Sequence, residues 1–123
     1  MEPRHPLRVT AVPAPGSVRV LGLAGEMDYD SRDQLRRALA AALEEDPSLL
    51  VLDLSGLDFC DSSALDELFR ARHDKPGVPI VLAAPRPQVR RLFDLTGIGQ
   101  VFVIAESVAA AIEHHGLTGT GQG

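Results

Sequence analysis

The spacing of apolar residues changes several times along the chain, and each change marks an element. Leu7 to Val12 and Val18 to Ala24 loosely alternate apolar and polar positions, with Pro13, Pro15 and Gly16 between them, so an opening β-hairpin is expected. From Ser31 the period lengthens: Leu35, Ala38, Leu39, Ala42 and Leu43 share one face of a helix that must stop before Pro47. Ser31 with Gln34 has the form of a capping box at its start. Leu49 to Leu54 is apolar almost throughout, as a strand covered on both faces is, and is expected at the centre of a mainly parallel sheet. Ser55, Gly56 and a short link from Asp58 to Asp61 lead to Leu65, Leu68 and Phe69 at helical spacing. Arg70, Arg72, His73 and Lys75 suit the negative end of that second helix. Val78 to Ala84 reads as a short strand with Pro79 among its first residues. A third helix is expected from Pro87 to Thr96, with Val89, Leu92 and Phe93 inward and Gly97 as a left-handed cap. Val101 to Ile104 is the last strand, and Ser107 opens a final helix with Val108, Ala111 and Ile112 inward and Gly116 at its end.

The order β-β-α-β-α-β-α-β-α contains no internal repeat and no linker, so helical crossovers join the strands into one mixed, mostly parallel sheet. One α/β domain over residues 7–115 is expected, with 116–123 as a flexible tail. The 123 residues suffice for one core and not for two. A hydrophobic share of 45% argues against wholesale disorder. The net charge of -5 disfavours duplex nucleic acid and anionic membrane, which both require clustered Lys and Arg, and leaves a protein as the default partner. Met1 to Pro6 are polar and broken by proline, and no apolar run approaches the roughly 20 residues of a membrane span, so a cytoplasmic protein is expected. Cys60 is the single cysteine and reads as a small buried hydrophobe beside Phe59.

Candidate chemistry concentrates where the central strand meets the second helix, at Asp61-Ser62-Ser63. Periodicity alone makes Asp61 or Ser62 an N-cap whose oxygen accepts from the free amides of the first turn. Those same amides and the positive helix end would also stabilise a phosphate on Ser62, and the two readings are compatible. An enzyme with Ser62 as nucleophile is the rival class, but a Gly-x-Ser-x-Gly frame is absent. His73 lies on the same helix roughly 16 Å further along its axis at 1.5 Å per residue, and His5, His114 and His115 lie near the termini. No catalytic residue, metal site or cofactor is inferred. Arg86, Arg90 and Arg91 read as a solvated basic face of the third helix, and Glu26 and Asp28 as exposed carboxylates after a strand.

The stretch Leu52-Asp53-Leu54-Ser55-Gly56-Leu57-Asp58-Phe59-Cys60-Asp61-Ser62-Ser63-Ala64-Leu65 resembles the signature of the STAS-domain anti-anti-sigma factors. Gly25-Glu26-Met27-Asp28 matches a second motif of that family, and Pro87 to Gly97 is similar to its third helix. The likeness extends from Val18 to Ile112 and implies a STAS fold, with an anti-sigma factor antagonist as the function. It further implies a partner with a histidine-kinase-like ATPase fold, which binds the unmodified antagonist, releases its sigma factor, and acts as serine kinase on the first serine, here Ser62. A serine phosphatase would reset the switch. Glu26, Asp28, Asp61, Ser62 and Ser63 are the partner-binding residues so implied, with the docking surface formed by the helix start and a Glu26 to Asp30 loop. Other STAS domains are implied to serve as scaffold or transport-associated modules without such switching. Ala64 departs from the family's usual glycine; it favours helix by about 1 kcal/mol, and its methyl narrows the approach of a partner's backbone.

Overall fold

The computed structural model describes residues 5–120 of the chain. Five strands form one sheet in the order β1-β2-β3-β4-β5, so chain order and spatial order coincide. β1 (Arg8–Val12) and β2 (Val18–Met27) make the expected antiparallel hairpin, with Arg8 opposite Ala24 and Val12 opposite Val20. β3 (Leu49–Cys60), β4 (Ile80–Ala83) and β5 (Val103–Ala105) add in parallel. They are reached through α1 (Arg32–Glu44), α2 (Ser62–Asp74) and α3 (Pro87–Thr96), and α4 (Val108–Thr120) follows the last strand. This is the single α/β domain with a mixed, mainly parallel sheet that the apolar pattern implies.

β3 is the central strand, and its side-chain alternation divides the core in two. Leu50, Leu52 and Leu54 pack with Leu35 and Leu39 of α1, Leu65 and Leu68 of α2, and Val89 and Phe93 of α3. Leu49 and Val51 join Val20, Val81 and Ala83 on the other face, which α4 covers with Ala111, Val108 and Ile112. Full burial of each such leucine contributes about 1.5–3 kcal/mol, which is why both faces of this strand are apolar.

Several boundaries differ from the sequence reading. β3 does not end at Leu54 but runs on to Cys60, because β2 continues beside it through Glu26 and Met27. Glu26 is thus a strand residue, and the loop begins at Asp28. The expected capping box of Ser31 and Gln34 is replaced by one between Asp28 and Ser31 on a 3-10 turn, Tyr29–Ser31, that precedes α1. Gln34 instead donates from Nε2 to the Leu7 carbonyl, 2.8 Å away. β5 starts two residues later than expected, because a 3-10 turn over Ile98–Gln100 follows the Gly97 cap and buries Ile98 and Phe102. α4 passes through Gly116 to Thr120, since each glycine costs a helix only about 1 kcal/mol. Of the expected tail, 121–123 lie outside the described residues.

One local constraint lies at the site end of the sheet, and another ties α1 to α2. Gly25 has φ +88, and a side chain there would collide with the carbonyl oxygens of Pro6 and His5, because residues 5–7 cross directly over it. Glu67 of α2, only 2% exposed, receives two hydrogen bonds from the Arg36 guanidinium of α1, at 2.9 and 3.0 Å. These bonds hold the Glu67 carboxyl below its ordinary value of 4.5, against the opposing effect of burial.

Gly25→Ala is expected to lose about 1–3 kcal/mol for the left-handed backbone and more for the collision. Gly16→Ala, with φ +59 but open space around it, should lose the backbone part alone. Urea unfolding midpoints at constant slope separate the two. Glu67 has a lower pKa folded than unfolded, so its contribution is fully present above its unfolded value and is lost as pH falls through the folded one. In Glu67→Gln, stability should therefore fall less steeply with acid below about pH 4.5 than in the wild type, as measured by urea titrations from pH 7 to pH 3.

Candidate functional site

Parallel pairing delivers the two family-like motifs to one end of the sheet. Glu26 pairs with Phe59 and Met27 with Cys60, and the Asp61 amide donates to the Met27 carbonyl at 3.1 Å. The turn after β2 and the junction before α2 are neighbours for that reason alone.

At the junction the cap is Asp61. Its Oδ1 accepts from the Ala64 amide at 3.1 Å and from the Ser63 hydroxyl at 2.7 Å. Ser62 is the first residue of α2 and is exposed, and its hydroxyl makes no hydrogen bond among the described residues. The two serines differ in their surroundings: Ser63 is half-buried and gives its proton to the cap, whereas Ser62 presents to solvent a hydroxyl without a partner among the described residues. Ala64 is fully buried, so its methyl packs into the core and, contrary to the expectation from the sequence, does not narrow the approach of a partner.

The carboxylates of the second motif are engaged in shaping their own turn. Asp28 accepts from the Ser31 amide at 3.0 Å, and Ser31 Oγ accepts from the Asp28 amide at 2.9 Å. The Glu26 amide donates to the His5 carbonyl at 2.9 Å, and its carboxylate accepts from the His5 amide at 3.3 Å. Both residues hold the turn that stands beside Ser62.

Four features of this end were not legible in the sequence. Phe59 is 48% exposed, although its neighbour Cys60 is buried. Leu95 of α3 is 79% exposed, and the two border a cavity of about 340 Å³ with Gln88, Arg91 and Leu92. Tyr29 is exposed on the 3-10 turn, with the Arg32 guanidinium 3.8 Å above its ring. Arg86 departs from the expected solvated face: its Nη1 lies 2.5 Å from Asp58 Oδ1, and its Nε donates to the Ser55 carbonyl at 2.7 Å. A pair of consecutive exposed positions, Asp58 and Phe59, breaks the strand alternation that sequence patterns rely on.

Cys60 is buried, as expected, and its thiol is pushed up to about 12, first by burial and then by the Asp61 charge. It is therefore a neutral thiol at physiological pH. Among the described residues no group of three or more His, Cys, Asp or Glu side chains is placed to hold a metal ion. Among them, too, no helix is long and apolar enough to cross a membrane.

Known proteins share this fold. The family model for the STAS domain matches residues 10–111. The anti-sigma-F factor antagonist RsfB of Mycobacterium tuberculosis is 30% identical over 104 residues, which cover 83% of this chain and 80% of that protein. The crystal structure of an anti-sigma factor antagonist from Mycobacterium paratuberculosis superposes with a TM-score of 0.76 at 25% identity, over 89% of this chain and 93% of the other. A sulfate transporter family protein from Wolinella succinogenes shares the fold, with a TM-score of 0.73 at 16% identity over 86% and 90% of the two chains. By the extent of the family match and by its likeness to these antagonists, the chain belongs to the STAS domain family, alongside the anti-sigma factor antagonists.

Proposed function

We propose that the chain is an anti-sigma factor antagonist that binds its anti-sigma factor while Ser62 is unmodified and lets go when Ser62 is phosphorylated. The observation that carries this reading is the free, exposed hydroxyl of Ser62 at the first position of α2, beside a serine whose own hydroxyl is spent on the cap. Its partner is an anti-sigma factor with a histidine-kinase-like ATPase fold. Docking covers Ser62, Ser63, Asp61 and the turn shaped by Glu26 and Asp28, and frees the sigma factor for transcription. The same partner then acts as serine kinase: Ser62 Oγ bonds to the γ-phosphorus of ATP, ADP leaves, and the hydroxyl proton passes to solvent or to a partner base. A serine phosphatase hydrolyses the phosphoester and resets the site. The chain itself is the substrate in this cycle, which runs in the cytoplasm, and no catalytic step is assigned to it.

The electrostatics favour such a switch. Phosphorylation adds about -1.5 to -2 charges. The first-turn amides and the helix dipole tolerate that charge within the antagonist, worth about 0.3–1 kcal/mol at an exposed helix start. Across an interface the same charge opposes docking, because it stands next to the Asp61 carboxylate and one turn from the exposed Asp66. Asp58 adds little to this repulsion, since Arg86 is paired with it.

A pull-down from the native host with wild type, Ser62→Ala and Ser62→Asp as baits, read by mass spectrometry, tests the reading. Wild type and Ser62→Ala should capture an anti-sigma factor of the histidine-kinase-like class. Ser62→Asp should bind that factor about a hundredfold more weakly, equivalent to about 2.7 kcal/mol. Equal capture by all three baits, or capture of transport or scaffold proteins in place of such a factor, would sink the switch and favour a constitutive STAS module.

A further inference from the structure

β3 is two residues longer than the register with β2 requires. From Gly22 to Ala24 the partner strand takes two steps while β3 takes three, from Asp53 to Gly56. From Gly25 to Glu26 it takes one step while β3 takes two, from Leu57 to Phe59. Each surplus residue forms a bulge, which interrupts the ladder and re-aims the strand beyond it. β4 cannot steady this segment on its other side, because it pairs only with Leu50 to Asp53 and ends at Ala83. The bulged half of β3, which leads directly into Asp61 and Ser62, is therefore flanked by a strand on one edge alone.

The start of α3 stands in for the missing strand. Arg86 is the N-cap residue of that helix, yet its side chain makes no capping bond and reaches across to β3. Its Nε donates to the Ser55 carbonyl at the first bulge, at 2.7 Å, and its Nη1 to the Asp58 carboxylate at the second, at 2.5 Å. Gln88 Nε2 donates to the Asp58 carbonyl at 3.3 Å. Three side-chain donors thus hold the two bulges, and a planar guanidinium is suited to bridging two acceptors set apart in this way.

We propose that Arg86 is a positioning residue for the switch: by clamping both bulges of β3 it fixes the direction in which the strand presents Ser62 to its partner. The inference rests on the reading of Ser62 as phosphoacceptor. Arg86 and Asp58 are about half exposed, so removing the clamp leaves the core intact and loosens only the part of β3 beyond Leu54. A kinase that meets the loosened junction must spend binding energy to restore its geometry, and that loss appears in KM while kcat is retained.

Amide hydrogen exchange of the isolated full chain comes first, because it requires no partner. In Arg86→Ala, exchange over 55–61 should quicken by about tenfold, with β4 and α1 unchanged. Arg86→Lys, which can reach one acceptor but not both, should lie between that variant and the wild type. Unchanged exchange over 55–61, or an equal rise throughout the sheet, overturns the proposal, the second because it marks a residue of general stability. In the second arm the anti-sigma kinase captured by the wild-type bait phosphorylates each variant with ATP, and Arg86→Ala should raise KM about tenfold, with partial recovery in Arg86→Lys. An unchanged KM overturns the proposal. If wild-type Ser62 accepts no phosphate, the phosphoacceptor reading fails, and hydrogen exchange alone decides whether Arg86 holds the bulges.

Discussion

The parallel pairing of β2 with β3 is the interaction on which the rest depends. It joins the hairpin to the rest of the sheet, places the central strand under cover on both faces, and brings the ends of two distant segments side by side. Were β3 to stop at Leu54, where its continuous apolar run stops, Asp61 and Ser62 would leave the sheet far from the Asp28 turn. The hydrogen bond from the Asp61 amide to the Met27 carbonyl is the last link of that pairing and the first of the site.

Charge at this end is managed by short-range partners. Asp61 is spent on a helix cap, Asp28 on a turn, Asp58 on Arg86, and Glu26 on the backbone of the segment that crosses Gly25. A surface that looks strongly acidic in the sequence is thereby made locally stiff, with its carboxylates held in place by hydrogen bonds. The Ser62 hydroxyl stands outside this network among the described residues.

Helices α1 and α2 are tied together by a buried charge. Glu67 is almost wholly buried on α2 and is met by Arg36 from α1, with Arg70 3.5 Å away on its own helix. A buried carboxylate is costly unless paired and hydrogen-bonded, so this pair fixes how the two helices sit more than it adds to net stability. It also fixes where α2 begins, since a helix anchored in its middle by Glu67 has little freedom to slide at Ser62.

Much of this was legible in the residues themselves. The hairpin, the buried run of β3, the faces of α1 and α3, and the Gly97 cap follow from periods and from backbone preferences that act over a few residues. The resemblance of the Asp61-Ser62-Ser63 stretch to a known signature pointed to the site, and local capping chemistry narrowed Asp61 or Ser62 to a helix start. The extension of β3 to Cys60, the exposure of Phe59, and the reach of Arg86 across to Ser55 and Asp58 were not legible. Each arises from a contact between residues far apart in the chain: bulges exist only relative to a partner strand, and an arginine's target depends on which edge lies within its length. The sequence by itself determined the elements, their order and the family, because those rest on local periodicity and motif; the tertiary structure decided how far β3 runs, where it bulges and which segments meet at its end, because those rest on register.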